Sequence, residues 1–156
     1  MATIGLHMVK LLPVKPNPGD NPRFLAIEEC REILDMCLGY YGEIGYNPPW
    51  ISYFAESDGN LVGTGGFKGR PVNNKIEIAY STFPQFRKQG IGGRICAELV
   101  RCAKEAAPDI IVTARTLPEE GYSTRILRKN GFLCAGVVWD NEDGEVWEWF
   151  FGKLPA

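Results

Sequence analysis

The sequence is poor in the side chains that most hydrolases and metalloenzymes depend on. Its 156 residues include one histidine, His7, close to the start. A Ser-His-Asp triad or a histidine-built zinc site therefore has nothing to rest on. The five cysteines, Cys30, Cys37, Cys96, Cys102 and Cys134, are odd in number, scattered and free of any C-x-x-C pair. That excludes a zinc ribbon and a thioredoxin-like redox pair. Cys30, Cys37, Cys96 and Cys102 fall in helical apolar patterns and read as core. No metal site is expected. No stretch approaches the roughly 20 apolar residues that span a bilayer. The start, Met1-Ala2-Thr3-Ile4-Gly5-Leu6-His7, lacks the basic-then-apolar order of a secretion signal. The reading is a protein of the reducing cytoplasm with no membrane contact. A net charge of −2 supplies no basic field, so no nucleic-acid partner is expected.

What the chain does have fits one globular domain over residues 1–156, with 45% apolar and 23% charged residues. A first strand is expected over Met8–Val14, before a connector that holds four prolines between Pro13 and Pro22. Asn21-Pro22 reads as a helix start, and the spacing of Ile27, Cys30, Leu34 and Cys37 carries a helix to Leu38, where Gly39 and Gly42 stop it. Ile51–Ala55 and Leu61–Phe67 read as strands of a hairpin turning at Asp58-Gly59. Lys75–Ser81 is a further strand. A helix over Gly92–Ala107, a strand over Asp109–Arg115 and a helix over Glu119–Lys129 follow. Strands over Phe132–Val138 and Glu145–Phe151 close the chain. The order predicts an α/β fold with a mixed, largely antiparallel sheet, one strand-helix-strand unit and helices on both faces.

The most informative segment runs from Phe83 to Arg94 and contains Arg87-Lys88-Gln89-Gly90-Ile91-Gly92-Gly93 between a strand and a helix. Glycines let successive N–H groups approach one point, and the helix start adds roughly half a positive charge. Together they suit a pyrophosphate. Arg87, Lys88 and Arg94 bring charge. From the glycines alone, a tight strand-to-helix turn fits equally well. A P-loop needs a G-K-[ST] ending that is absent. A dinucleotide fingerprint wants a small residue where Ile95 stands, and an acid where the next strand ends at Arg115.

At these residues the chain resembles the GNAT-type N-acetyltransferases, near the Rim-type ribosomal-protein branch. Arg87-Lys88-Gln89-Gly90-Ile91-Gly92 matches the family's [QR]-x-x-G-x-[GA]. Ser123-Thr124-Arg125-Ile126-Leu127-Arg128-Lys129-Asn130-Gly131-Phe132 is similar to its S-x-R-x-L-x-K-x-G-F. The match runs from Ile51 to Phe151, and Glu120 departs from it where relatives carry asparagine. The resemblance implies transfer of an acetyl group from acetyl-CoA to a primary amine, by direct attack. It implies a pyrophosphate on the amides of Gln89 to Gly92 and a pantetheine arm pairing with Ile78, Ala79, Tyr80 and Ser81 as an added strand. The acceptor class stays open between a small molecule and a protein N-terminus, the assembly between monomer and homodimer. A non-catalytic CoA-binding module on the same fold is the competing reading.

The chemistry needs a neutral amine, a stabilised oxyanion and a home for the leaving thiolate. A lysine amine has a pKa of about 10.4, an α-amine one of roughly 7.7–8.0, so removing the proton is part of catalysis. Glu77 is the first candidate base. Glu148, flanked by Trp147 and Trp149, is the second, and a bound water the third. Ser123 is the candidate thiolate partner, expected to face inward with Ile126 and Leu127, and Tyr122 beside it is the alternative. Tyr40, Tyr41, Tyr46 and Trp50 are candidates for an acceptor pocket. With no histidine to activate a cysteine, no covalent acyl-enzyme is expected.

Overall fold

A computed structural model describes residues 8–156; His7 and the start discussed above lie outside the described residues. The strands are β1 (Lys10–Pro13), β2 (Ser52–Ser57), β3 (Asn60–Phe67), β4 (Lys75–Thr82), β5 (Ile111–Thr116), β6 (Phe132–Asp140) and β7 (Gly144–Phe151). The helices are α1 (Pro22–Leu25), α2 (Glu28–Ile44), α3 (Ile91–Ala106) and α4 (Tyr122–Lys129). All seven strands form one sheet in the order β1-β2-β3-β4-β5-β7-β6. Every pairing is antiparallel except β4 with β5, which the α3 crossover makes parallel. No helix among the described residues is long and apolar enough to cross a membrane.

Side-chain alternation assigns the two faces. Phe54 stacks on Phe24 of α1 with ring centroids 4.2 Å apart, so it points to the α1–α2 face. In register with it lie Thr64 and Ser81, and with them Ala79 and Glu77. Tyr53, Gly65, Tyr80 and Ile78 point to the α3–α4 face. Gly65 lets α3 settle onto the sheet, since a Cβ there would stand 2.9 Å from Ile95 and 3.0 Å from Leu99. The buried stripe of α3 is Ile91, Ile95, Leu99 and Ala103, with Cys102 half-buried and Ala106 exposed.

The β2–β3 turn is as expected: Asp58 and Gly59 both have positive φ, 50° and 81°, as a two-residue hairpin turn demands. The first helix differs. It breaks at Ile27, whose φ of −112° is extended, and Gly39 and Gly42 lie inside α2. The stop is Gly45, at φ 88°. A mid-helix glycine costs about 1 kcal/mol, which lowers helix stability without ending the helix.

Candidate active site

The parallel pair β4–β5 runs out early. Its register covers Lys75↔Ile111 to Ile78↔Ala114, while β3 stays paired with β4 as far as Thr82. Beyond Ile78 the two strands splay. The Lys68 N–H donates to the Glu77 carbonyl and the Phe83 N–H to the Val62 carbonyl. By antiparallel alternation, Ala79 and Ser81 also direct their backbone groups to β3. The N–H and C=O of Tyr80 therefore face the gap. The Tyr80 ring is half-buried on the α3 side, where burial and the neighbouring Cys96 thiol push its phenol up.

The chain leaves β4 through Phe83 and one 3-10 turn, Pro84–Phe86. Lys88 then takes φ 64° and Gly90 φ 78°. A side-chain-bearing residue in this left-handed region costs roughly 1–2 kcal/mol, a strain that aims the following amides. The first helical bond of α3 runs from the Arg94 N–H to the Gly90 carbonyl, at 3.3 Å. The N–H groups of Ile91, Gly92 and Gly93 thus have no helical partner and emerge at the positive end of the helix dipole. Arg87 Nε donates to the Thr82 carbonyl at 3.4 Å, holding the loop to the end of β4.

In front of this helix start lies a cavity of about 510 Å³, walled by Thr82, Arg87, Lys88, Gly92, Tyr122 and Arg125 among others. Ser123 also lines it. Ser123 is exposed, whereas the next residue, Thr124, is buried. The inward orientation expected for Ser123 is therefore corrected: Thr124, Ile126 and Leu127 form the buried face of α4, and Ser123 and Tyr122 both line the open cavity. Gly92 is a close approach. A Cβ there would stand 2.9 Å from Ile126 Cδ1, 3.2 Å from Thr82 Oγ1 and 3.4 Å from Tyr122 Oη. At Gly90 a Cβ would meet nothing within 4 Å, so that glycine serves the turn alone. Of the expected cofactor contacts, Tyr80, Arg87, Lys88 and Gly92 line this cavity, whereas Ile78, Ala79, Gln89, Gly90, Ile91 and Gly93 do not. Arg125 was not foreseen, although its i+3 spacing from Tyr122 puts both on one helix face. Glu120 stays outside the cavity. It accepts from Arg128 Nη2 at 2.9 Å and from Thr124 Oγ1 at 3.1 Å, anchoring the start of α4.

On the opposite face of the same stretch of β4 lies a second cavity, of about 340 Å³. Its walls include Cys37 and Tyr40 of α2, Thr64 of β3, Lys68 just beyond it, Ala79 and Ser81 of β4, and Glu142 from the β6–β7 turn. The two cavities share Tyr80 and Ser81, so β4 is the partition between them. Of the aromatic candidates only Tyr40 lines the second one. Tyr41 is buried, its hydroxyl donating to the Val14 carbonyl at 2.9 Å, and Tyr46 and Trp50 pack edge-on against Tyr41 and Phe67.

Both candidate bases lie on this face within one ionic network. Glu77 is 3.3 Å from Lys68 Nζ and 3.8 Å from Arg115 Nε. Glu148 is 3.3 Å and Asp140 3.1 Å from the same guanidinium. Burial pulls Lys68 down, but Glu77, with Glu142 and Asp140 beyond it, more than offsets it, and the net shift is upward. Asp140 is held down to about 2, first by the Glu142 N–H, then by Arg115 and the Asp143 N–H. Arg115 had entered the sequence argument only as a misfit to a dinucleotide site, and no local pattern marks it as the centre of this network. Burial raises the thiols of Cys30, Cys37 and Cys102 and pushes Cys96 up to about 12, so none of these is an activated nucleophile.

Residues 18–133 match the family described as the acetyltransferase (GNAT) domain. Similar solved structures include a spermidine N-acetyltransferase SpeG chimera from Vibrio cholerae and hSSAT, 14% identical with TM-score 0.68, over 92% of this chain and 95% of that one. The RimL ribosomal L7/L12 alpha-N-protein acetyltransferase in complex with coenzyme A is 17% identical with TM-score 0.66, over 93% and 95%. A Bacillus subtilis acetyltransferase in complex with CoA is 15% identical with TM-score 0.62, over 95% and 99%. At these identities the likeness is one of fold. No curated protein matches the chain.

Proposed function

This chain belongs to the GNAT acetyltransferase family, and from that premise we propose how its own residues carry out transfer from acetyl-CoA to a primary amine. The observation that carries the reading is the pair of cavities meeting at one splayed strand. The pyrophosphate lies on the N–H groups that open α3, with Arg87, Lys88 and Arg125 around it. The pantetheine arm occupies the missing-strand position beside β4, an amide of the arm donating to the C=O of Tyr80 while the Tyr80 N–H is left for the reaction. The thioester then reaches the splay, where that N–H is placed to take the developing oxyanion.

The amine enters from the second cavity and attacks across the β4–β5 gap. Its nitrogen forms the new bond to the acetyl carbon, the C–S bond breaks, and CoA leaves as a thiolate. Glu77 takes the proton from the amine, directly or through a water, with Glu148 in the same network as the alternative. Tyr122 or Ser123, on the cofactor side, hydrogen-bonds the departing thiolate. Base and acid on opposite faces of the sheet suit an attack in which amine and thiolate approach and leave from opposite sides. The raised thiols favour direct transfer over an acyl-cysteine. The enzyme acts as one domain, in the cytoplasm, as a monomer or homodimer, on a small amine or a protein N-terminus. Calorimetry tests the cofactor half: CoA and acetyl-CoA bind one to one and NADPH much more weakly. Heat with NADPH and none with CoA overturns it.

A further inference from the structure

The second cavity has a charge imbalance that bears on what it admits. The charged side chains on its wall are Lys68 and Glu142. Lys68 is already answered, its Nζ 3.3 Å from Glu77. Glu142 is exposed, and although Lys68 feels its charge at longer range it makes no ion pair among the described residues. Its backbone N–H donates to Asp140 Oδ1 at 2.8 Å, which fixes the turn so that Glu142 borders the cavity. Behind this wall, Glu77, Asp140 and Glu148 outnumber the cations Lys68 and Arg115. Tyr40, also on the wall, brings an aromatic ring of the kind that attracts a cation. The surface is negative where the acceptor enters.

A negative wall alone would hinder a simple monoamine, because it holds the nitrogen in its protonated, unreactive form. A molecule with two amino groups escapes the conflict. One stays charged against Glu142 and Tyr40, and its charge lowers the pKa of the other, which reaches the thioester neutral. Resting on the reading of this cavity as the acceptor's, we infer that the substrate is an amine bearing a second positive charge, and that Glu142 selects it.

The test compares thiol release from acetyl-CoA with 1,4-diaminobutane and with n-butylamine, using the full chain. The parent has the higher kcat/KM for the diamine, and added salt narrows the difference by screening an exposed charge. Glu142→Gln lowers the diamine-to-monoamine ratio by about two- to fivefold, the scale of one exposed ion pair. Glu142→Lys lowers it further. Glu145→Gln removes the same charge from the same hairpin, on the side facing Trp139, and leaves the ratio unchanged. Equal use of the two amines by the parent, or an unmoved ratio in Glu142→Lys, overturns the inference while leaving acetyl transfer standing. Thiol release with neither amine, in a parent that releases thiol with a peptide N-terminus, overturns the inference alone; none with amine or peptide, in a parent that binds CoA, overturns the amine-acetylating function as well.

Discussion

Replacing Gly92 by alanine separates the cofactor site from the fold. The new Cβ would stand 2.9 Å from Ile126 Cδ1 and 3.2 Å from Thr82 Oγ1. Both are side-chain ends, so the methyl is accommodated by small shifts, at an overpacking cost of about 1 kcal/mol. Alanine in a helix regains roughly the same amount over glycine. The two effects nearly cancel, and the melting temperature stays close to the parent's. Binding does not benefit from that cancellation, because the methyl occupies the floor of the cavity in front of the α3 amides. Displacing the pyrophosphate from one charge-assisted N–H contact costs about 1.5–3 kcal/mol, or roughly ten- to hundredfold in affinity. Gly90→Ala gives the reverse pattern. Its Cβ meets nothing, but φ 78° makes it strained, so it loses roughly 1–2 kcal/mol of stability with a small effect on the cofactor. The assay pairs thermal melts with the KM for acetyl-CoA in a thiol-release assay. An unchanged KM in Gly92→Ala refutes the placement of the pyrophosphate.

Three further outcomes follow from the same geometry. Glu77→Gln lowers kcat by roughly 10²-fold with little change in CoA affinity, and the loss shrinks as pH rises because solution supplies more neutral amine; a parental rate at every pH moves the base to Glu148 or a water. Tyr122→Phe and Ser123→Ala each slow thiolate departure without steepening the rise of rate with pH, and the larger kcat loss identifies the thiolate's partner; two parental rates exclude both. The lowered pKa of Asp140, about 2, means its ionisation stabilises the fold above the ordinary carboxylate pKa, and this contribution is lost as pH falls through 2. Asp140→Asn therefore costs about 2 kcal/mol at neutral pH and flattens the loss of stability between about pH 4 and about pH 2, read by denaturant titration.

The sequence carried the fold where a local pattern had a single physical meaning. Asp58-Gly59 specified its turn through positive φ. The β4 strand, the Arg87–Gly93 loop and the helix after it followed from periodicity and glycine placement. What it did not carry depends on tertiary packing. The break at Ile27 has no glycine or proline to announce it, and it goes with the docking of Phe24 of α1 on Phe54 of β2. Ser123 matched an inward stripe by spacing, yet the buried face of α4 is carried by Thr124, Ile126 and Leu127. Lys68, Arg115 and the Asp140–Glu142 turn are far apart along the chain and converge only through strand order. The acceptor side of the site was therefore less legible than the cofactor side, whose amides and arginines sit in one continuous segment with one motif downstream.

The central claim is acetyl transfer from acetyl-CoA to an amine, and one experiment meets it directly. The purified chain is incubated with acetyl-CoA and a panel of monoamines, diamines and peptide N-termini. Free thiol and product mass are followed together. The account predicts thiol release that depends on the amine, matched mole for mole by an amine heavier by one acetyl group. Thiol release indifferent to amine, or none with any amine in a chain that binds CoA, contradicts it.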